Sequence, residues 1–428
     1  MEHPTGLIGI VVLLGLASAI SEDRRRFPVR LVVLGVLLQF ALAWLMLRFD
    51  PVVFWFSVLG HWVNAVIASA DAGASFLFGS LADPAGPAGL VFATRVLPVI
   101  VFFASLMALL YHVGVMQRVI AGLAWLLRGT LGVTGTEALV MAANVFVGQT
   151  EAPLCVRPYI AGMTRSQLAT LMVGGFATIA GSVLAAYVGM LGGDDPASRV
   201  EFIRHLITAS VLSAPAAFVM AKIIVPETGT PLDEGLRAAP MERPTRNVLD
   251  AAAAGATDGL RLALNIAAML LAFVALLAMV NMILGALGRV GLAADALRSL
   301  GLRELSLQVV LGWLLAPLAW TMGVPWGECA PFGSLLGQKL VVTEFIAYGA
   351  LSADIHSADP ELSRRSAFIA AYALCGFANF PSIAIQIGGL TALAPGRRSE
   401  FASLGLRAMA GGAFASWMTA CVAGLLLP

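Results

Sequence analysis

Two glutamates lie in apolar sequence that offers them no water. Glu151 sits in "NVFVGQTEAPL" (residues 144–154), directly after Gln149 and Thr150. Glu344 sits in "GQKLVVTEFIAYG", again directly after a threonine. A charge at the centre of a membrane helix costs about 2.5–3.5 kcal/mol on insertion scales, so each carboxylate needs a use. One use is a local ion pair, with Arg157 or Lys339 close by in the chain. Local pairing does not account for a hydroxyl beside each acid, or for the amides of Gln149 and Asn379. Two carboxylates with Gln149, Thr150, Asn379 and Ser382 form a hydrogen-bonding set suited to a polar, hydroxyl-bearing solute. Catalysis lacks its parts. The five histidines fall in no HExxH or similar spacing and none is in these motifs, so neither an enzyme nor a cofactor is expected. A channel could use such segments too, but paired polar tips favour an occluded site over a continuous conduit.

The elements that carry these residues follow from composition. Of 428 residues 59% are hydrophobic and 12% charged, about half the charge of a soluble domain. The solvent is lipid. A net charge of +1, with no dense basic tract, excludes a nucleic-acid partner. Four cysteines without a CxxC pair read as buried apolar residues, not as a disulfide or metal framework. Spanning about 30 Å of hydrocarbon takes about 20 apolar residues. Eight stretches qualify: 6–21, 31–48, 92–114, 166–190, 203–225, 261–288, 365–390 and 401–427. The basic turns "SEDRRRFPVR" and "PGRRSE" are expected on the cytoplasmic side, with both termini outside. Residues 52–79 are apolar with a polar stripe at Ser57, His61, Asn64 and Asp71, which predicts an interfacial helix. "PETGTPLDEGLRAAPMERPTRN" (226–247) is a water-soluble linker, followed by an amphipathic start to the next span.

Two further stretches are apolar but interrupted. Residues 134–162 break at Gly148 to Pro153, and 305–350 break around Gly323 to Gly333. Helix–break–helix of this size predicts re-entrant hairpins whose tips stop near the midplane, where irregular backbone must be covered by protein or line a cavity. The order hairpin, Thr-Glu, then Gly-Phe-Ala-polar occurs once on each side of the linker, in "GGFATIAGS" (174–182) and "CGFANFPSI" (375–383). Such an internal repeat, Gly-rich in one half and Pro-interrupted at Pro381 in the other, is the sequence sign of two discontinuous helices in a secondary transporter.

The longest of these motifs, "GQTEAPLCVRPYIAGMTRSQLATLMVGGFATIAGSVLAAYVG", "GQKLVVTEFIAYGALS" and "CGFANFPSIAIQIGGLTALAPGRR", strongly resemble the concentrative nucleoside transporters in their short bacterial form, over roughly residues 90 to 425. The resemblance implies an all-α polytopic fold of a bacterial inner membrane. Its parts are eight transmembrane helices, two oppositely oriented re-entrant hairpins, two discontinuous helices and an interfacial helix, arranged as an inverted repeat. It implies a homotrimer, embedded in lipid, that imports nucleosides by an elevator motion coupled to sodium or, in some members, to protons. By position, Gln149, Thr150 and Glu151 match the tip that binds the nucleobase, partly through water, and Val183 matches a residue packed on the base. Glu344, Asn379 and Ser382 match the residues that hold the ribose hydroxyls, with Phe377 beside them. Asn144, Val147, Thr178 and Ile179 match the sodium ligands, Val147 and Ile179 through backbone carbonyls. The presence of Asn144 and Thr178 favours sodium over protons.

On this reading the chain divides into two N-terminal spans (1–50), an interfacial helix and scaffold span (51–130), and the first hairpin with transport-region helices (131–225). A linker and amphipathic helix (226–260), a second scaffold span (261–300), and the second hairpin, second broken helix and last span (301–428) follow. Two positions depart from the family pattern. Thr343 stands where Asn usually precedes Glu-Phe, and Pro381 stands where a serine commonly follows Asn379-Phe380. Both bear on base preference and on the stiffness of the second broken span. A member specialised for another ribosylated compound is the alternative reading.

Overall fold

The computed structural model describes residues 4–82, 91–193, 195–233, 245–289 and 304–427, apart from the side chains at 56, 57, 59, 63 and 67. Among them every regular element is a helix. Six of the expected spans are α1 (Thr5–Ala19), α2 (Val29–Arg48), α4 (Phe92–Val113), α9 (Pro196–Ile224), α10 (Val248–Leu287) and α16 (Arg398–Leu426). The other two are broken pairs, α7 (Arg165–Ala177) with α8 (Gly181–Gly192), and α14 (Arg364–Leu374) with α15 (Phe380–Leu393). By length and apolarity seven helical stretches among the described residues can cross a membrane, and the set differs from the eight expected. It omits α1, whose 15 residues span about 22 Å at 1.5 Å per residue, and the α14–α15 pair, which its break divides. It includes Asp50–Leu81, the stretch expected at the interface.

That stretch is α3 (Asp50–Phe78), and part of its polar stripe faces protein. Asp71 reaches to 4.0 Å from Arg199 of α9, while Phe54, Trp55, His61 and Trp62 are exposed. Ser57's side chain lies outside the described residues, as do linker residues 234–244 and the stretch 290–303 between the last two expected segments. α10 runs 40 residues without interruption, so its amphipathic start and its span are one rod, about 60 Å long. It is buried only at Ala251, Gly255, Gly259 and Ala263, the small-residue face that lets it close on Val101, Ala104 and Ala108 of α4. By contrast α7, α9 and α16 are buried along most of their length and form the centre.

The hairpins follow from where helices can restart. The first has α6 (Gly135–Asn144), a turn over 145–151 and a 3₁₀ segment at Ala152–Gly162. Thr134 and Glu137 form a capping box at the start of α6, and Thr164 and Gln167 form another at the start of α7. The second hairpin is displaced from its expected place. The break around Gly323, a turn with φ +94°, joins α11 (Leu307–Thr321) to α12 (Cys329–Val341). The tip itself is Val342-Thr343, after which α13 (Glu344–Ile355) begins with Thr343 as its cap. No glycine or proline marks that tip. The Thr343 hydroxyl accepts the Ile346 N–H and starts the next helix.

The two halves run in opposite directions. Glu22, in the basic turn after α1, pairs with Arg165 at the start of α7 (2.7 Å) and Arg407 near the start of α16 (3.2 Å). The Arg165 guanidinium holds the Glu22 carboxyl below the usual carboxylate range. Arg364, at the start of α14, instead pairs with Glu201 near the start of α9, the opposite end of the molecule. α7 and α14 therefore enter from opposite sides, and their breaks meet. At Gly376 (φ +117°) a Cβ would run into the backbone of Phe176 and Ala177. Only glycine suits both that conformation and that approach. Gly376→Ala is expected to cost about 2 kcal/mol or more, seen as a lower melting temperature of the detergent-purified protein. Gly388→Ala, on a helix with open space beside it, is expected to leave the melting temperature unchanged.

Candidate functional site

Glu344 is the first residue of α13, at the positive end of the helix dipole, where a carboxylate is stabilised. It is buried, and both its oxygens are held. Oε1 accepts from the Tyr187 hydroxyl at 3.0 Å and Oε2 accepts from Asn379 Nδ2 at 2.7 Å. Asn379 does two jobs, because its Oδ1 also accepts the Ser382 N–H at 2.8 Å and so caps α15. Tyr187 is fixed by its ring, stacked on Tyr348 at 4.1 Å and edge-on to Phe345 at 5.0 Å. A carboxylate offers about four lone-pair sites, and two are used here. The remainder can take two further O–H donors on adjacent carbons.

The first tip makes a different kind of surface. Gln149 is buried against Gly175 of α7, and its Oε1 has no partner among the described residues. Gln386 of α15 reaches the same glycine, donating to the Met172 carbonyl at 2.9 Å while its own Oε1 has no partner. Thr150 lies beside Gly389. Thr150 and Glu151 are exposed, and Glu151 enters no ion pair among the described residues. One turn earlier, Asn144 closes α6 with 1% of its surface exposed and neither side-chain atom partnered among the described residues. Its Nδ2 lies against Gly174, whose carbonyl accepts from Thr178 Oγ1 at 2.9 Å. Thr178 is extended (φ −120°, ψ 166°) where α7 ends, so carbonyls at the negative end of that helix lose their helical donors. An unpartnered amide, a hydroxyl and unwound carbonyls are neutral oxygen donors of the kind that bind sodium.

Two inverted halves, two tips and two breaks converge, and three family profiles match the same regions. They are described as Na+ dependent nucleoside transporter C-terminus (residues 205–424), Na+ dependent nucleoside transporter N-terminus (8–81) and nucleoside recognition (93–194). The chain belongs to the Na+ dependent nucleoside transporter family. Among relatives it is 43% identical to the Uncharacterized transporter YutK of Bacillus subtilis over 99% of both chains. It is 41% identical to Sodium/nucleoside cotransporter 1 of Rattus norvegicus, over 99% of this chain and 64% of that one. It is 42% identical to CNTnw in an inward-facing substrate-bound state, with a TM-score of 0.88 over 99% of this chain and 97% of that one. A CNTnw variant in an intermediate state matches with a TM-score of 0.90 over 100% and 99% of the two chains.

For this transporter the structure brings Glu344, Asn379 and Ser382 into one network, with Phe377 half-buried at the same break. Val183 is buried on α8 one helical turn before Tyr187, on the same face. Asn144 and Thr178 meet at Gly174, while Val147 and Ile179 are buried beside them in the chain. The local pairing of Glu344 with Lys339 does not form. Lys339 bonds neutral oxygens, the carbonyls of Ala373 and Cys375 and the hydroxyl of Ser416. Sequence reasoning missed Tyr187 and Gln386. Tyr187 lies in an ordinary apolar run, but Gln386, an amide inside "SIAIQIGG", was a signal of the same kind as Gln149. Tyr187→Phe keeps the ring and removes one donor to Glu344. It is expected to weaken nucleoside binding about tenfold, about 1.4 kcal/mol, measured by calorimetric titration, with little change in melting temperature.

Proposed function

We propose that this chain imports nucleosides by sodium symport, with the ribose held at the second hairpin tip and the base at the first. The observation that carries the reading is the Glu344 carboxylate. It is held by Tyr187 and Asn379 at a helix start and has acceptor capacity left for two vicinal hydroxyls. Ser382 and Phe377 complete the sugar end. Gln149, Thr150 and Glu151, with Val183 beneath, form the base end. Gln149's unpartnered oxygen supports that assignment, because a buried acceptor needs a donor from solute or water.

Sodium is assigned to Asn144, Thr178 and the carbonyls of Val147 and Ile179. The ion would satisfy the Asn144 oxygen and the end of α7 together, drawing the first tip onto the break and setting Gln149 for the base. Binding of ion and substrate then stabilise each other, as coupling requires. The family resemblance supports re-entrant hairpins in a bacterial inner membrane, a homotrimer, and an elevator motion of the hairpin-bearing core against α4 and α10. The long continuous α10, buried only along its contact with α4, supports that division.

Uptake of labelled uridine into proteoliposomes is expected under an inward sodium gradient. Replacing sodium by choline at fixed pH is expected to abolish it; unchanged uptake would transfer the coupling to protons. Asn144→Ala is expected to raise the sodium concentration for half-maximal uptake about tenfold or more, through loss of one ion ligand. Glu344→Gln is expected to abolish ribonucleoside uptake, because an amide replaces one acceptor with a donor.

A further inference from the structure

Of 26 basic residues only two are lysine, Lys222 and Lys339, and both are buried. Lys222 has a counter-charge, with Glu137 at 2.6 Å. Lys339, with no exposed surface, has none in contact among the described residues. Its ammonium donates to the carbonyls of Ala373 (2.9 Å) and Cys375 (3.3 Å) and to Ser416 Oγ (2.8 Å), all neutral oxygens. A buried ammonium with no carboxylate beside it is expensive to desolvate. Packing alone is therefore a poor reason for it.

The repeat supplies a better one. When "CGFAN" is laid on "GGFAT", Cys375 falls on Gly174, and each lies near the C-terminal end of the leading helix of a broken pair. In the first half, the leading helix of the hairpin presents Asn144 to Gly174, with both polar atoms unpartnered. In the second half, the leading helix presents Lys339 to Cys375, with its donors spent on the carbonyls where α14 ends. Both places are negative helix ends, which favour a cation. The first half offers oxygen donors there; the second brings an ammonium on its own side chain.

We propose that Lys339 is a tethered cation, doing permanently in the second half what the coupling ion does reversibly in the first. It pins the end of α14 to the hairpin arm that leads, five residues on, to Glu344, and so positions that carboxylate for substrate. Lysine suits this place better than the arginine used almost everywhere else in the chain, because a compact ammonium fits between closely spaced carbonyls. The inference rests on the roles proposed for Asn144 and Glu344, and makes Lys339 a positioning residue.

Full-length Lys339→Met and Lys339→Ala chains test it in proteoliposomes, beside wild type. Lys339→Met conserves the bulk and deletes the charge. Uptake is expected to fall about tenfold or more in a chain that still folds, with a lower melting temperature because the carbonyls of Ala373 and Cys375 lose their donor. Lys339→Ala removes the equivalent of one n-propylammonium ion. Added n-propylammonium is expected to raise that variant's uptake about threefold or more and raise its melting temperature, by binding linkage, with no effect on wild type. The neutral 1-propanol, of the same size, is expected to do neither. A folded Lys339→Met chain with wild-type uptake overturns the proposal, as does rescue by 1-propanol equal to that by propylammonium. Recovery of folded Lys339→Ala only with propylammonium present supports it, and if that chain is recovered under neither condition, Lys339→Met decides. The melting-temperature arm does not depend on the solute. Lack of nucleoside uptake by wild type would count against the nucleoside reading alone.

Discussion

A helix broken inside a low-dielectric region leaves backbone groups that have no water to turn to, and each must be satisfied by protein or by a ligand. This chain contains two such breaks back to back, at 178–180 and 375–379, in contact through Gly376. The polar residues around them read as answers to that demand. Asn379 and Thr343 cap restarted helices, Thr178 and Gln386 take carbonyls of α7, and Lys339 takes carbonyls of α14. What stays unpartnered is equally informative. Asn144, Gln149 and Gln386 keep buried amide atoms without donors or acceptors, and all three face the glycine pair Gly174-Gly175.

The asymmetry between the halves gives them different tasks. Around Glu344 the carboxylate is held by Tyr187 and Asn379 and backed by aromatic rings. Around Asn144 the donors and acceptors are loose ends. On the proposed assignment, a preorganised subsite beside an incomplete one would be a physical basis for coupling, because an ion completing the second would change how the first tip meets the base. The opposed anchors, Glu22 with Arg165 on one side and Glu201 with Arg364 on the other, hold α7 and α14 in opposite senses, so that their breaks meet at Gly376. α10 closes on α4 through small residues, and α4 in turn packs on α8 of the core.

Much of this was legible in the chain. The spans follow from hydrophobic length, and the boundaries of α1, α2, α4 and α16 fall close to the expected ones, while α9 begins well before residue 203. Glu151, Glu344, Gln149 and Asn379 stood out because polar groups in apolar sequence carry a cost that must be offset. Glycine and proline are the strongest local punctuation, and they put the expected second break at Gly323 to Gly333, ahead of the tip. They mark a real turn there, but Thr343 makes the tip by capping alone.

Sequence by itself therefore determined the solvent, the number of crossings to expect, the repeat, and the polar residues that must have partners, because each is a local cost written in residue type and spacing. Only tertiary structure decided who those partners are. Tyr187 is 157 residues from Glu344, and Lys339 passes over the glutamate near it in the chain for the carbonyls where α14 ends. The reason is that a buried polar group is satisfied by whatever the fold brings within about 3 Å, and separation along the chain does not measure that distance.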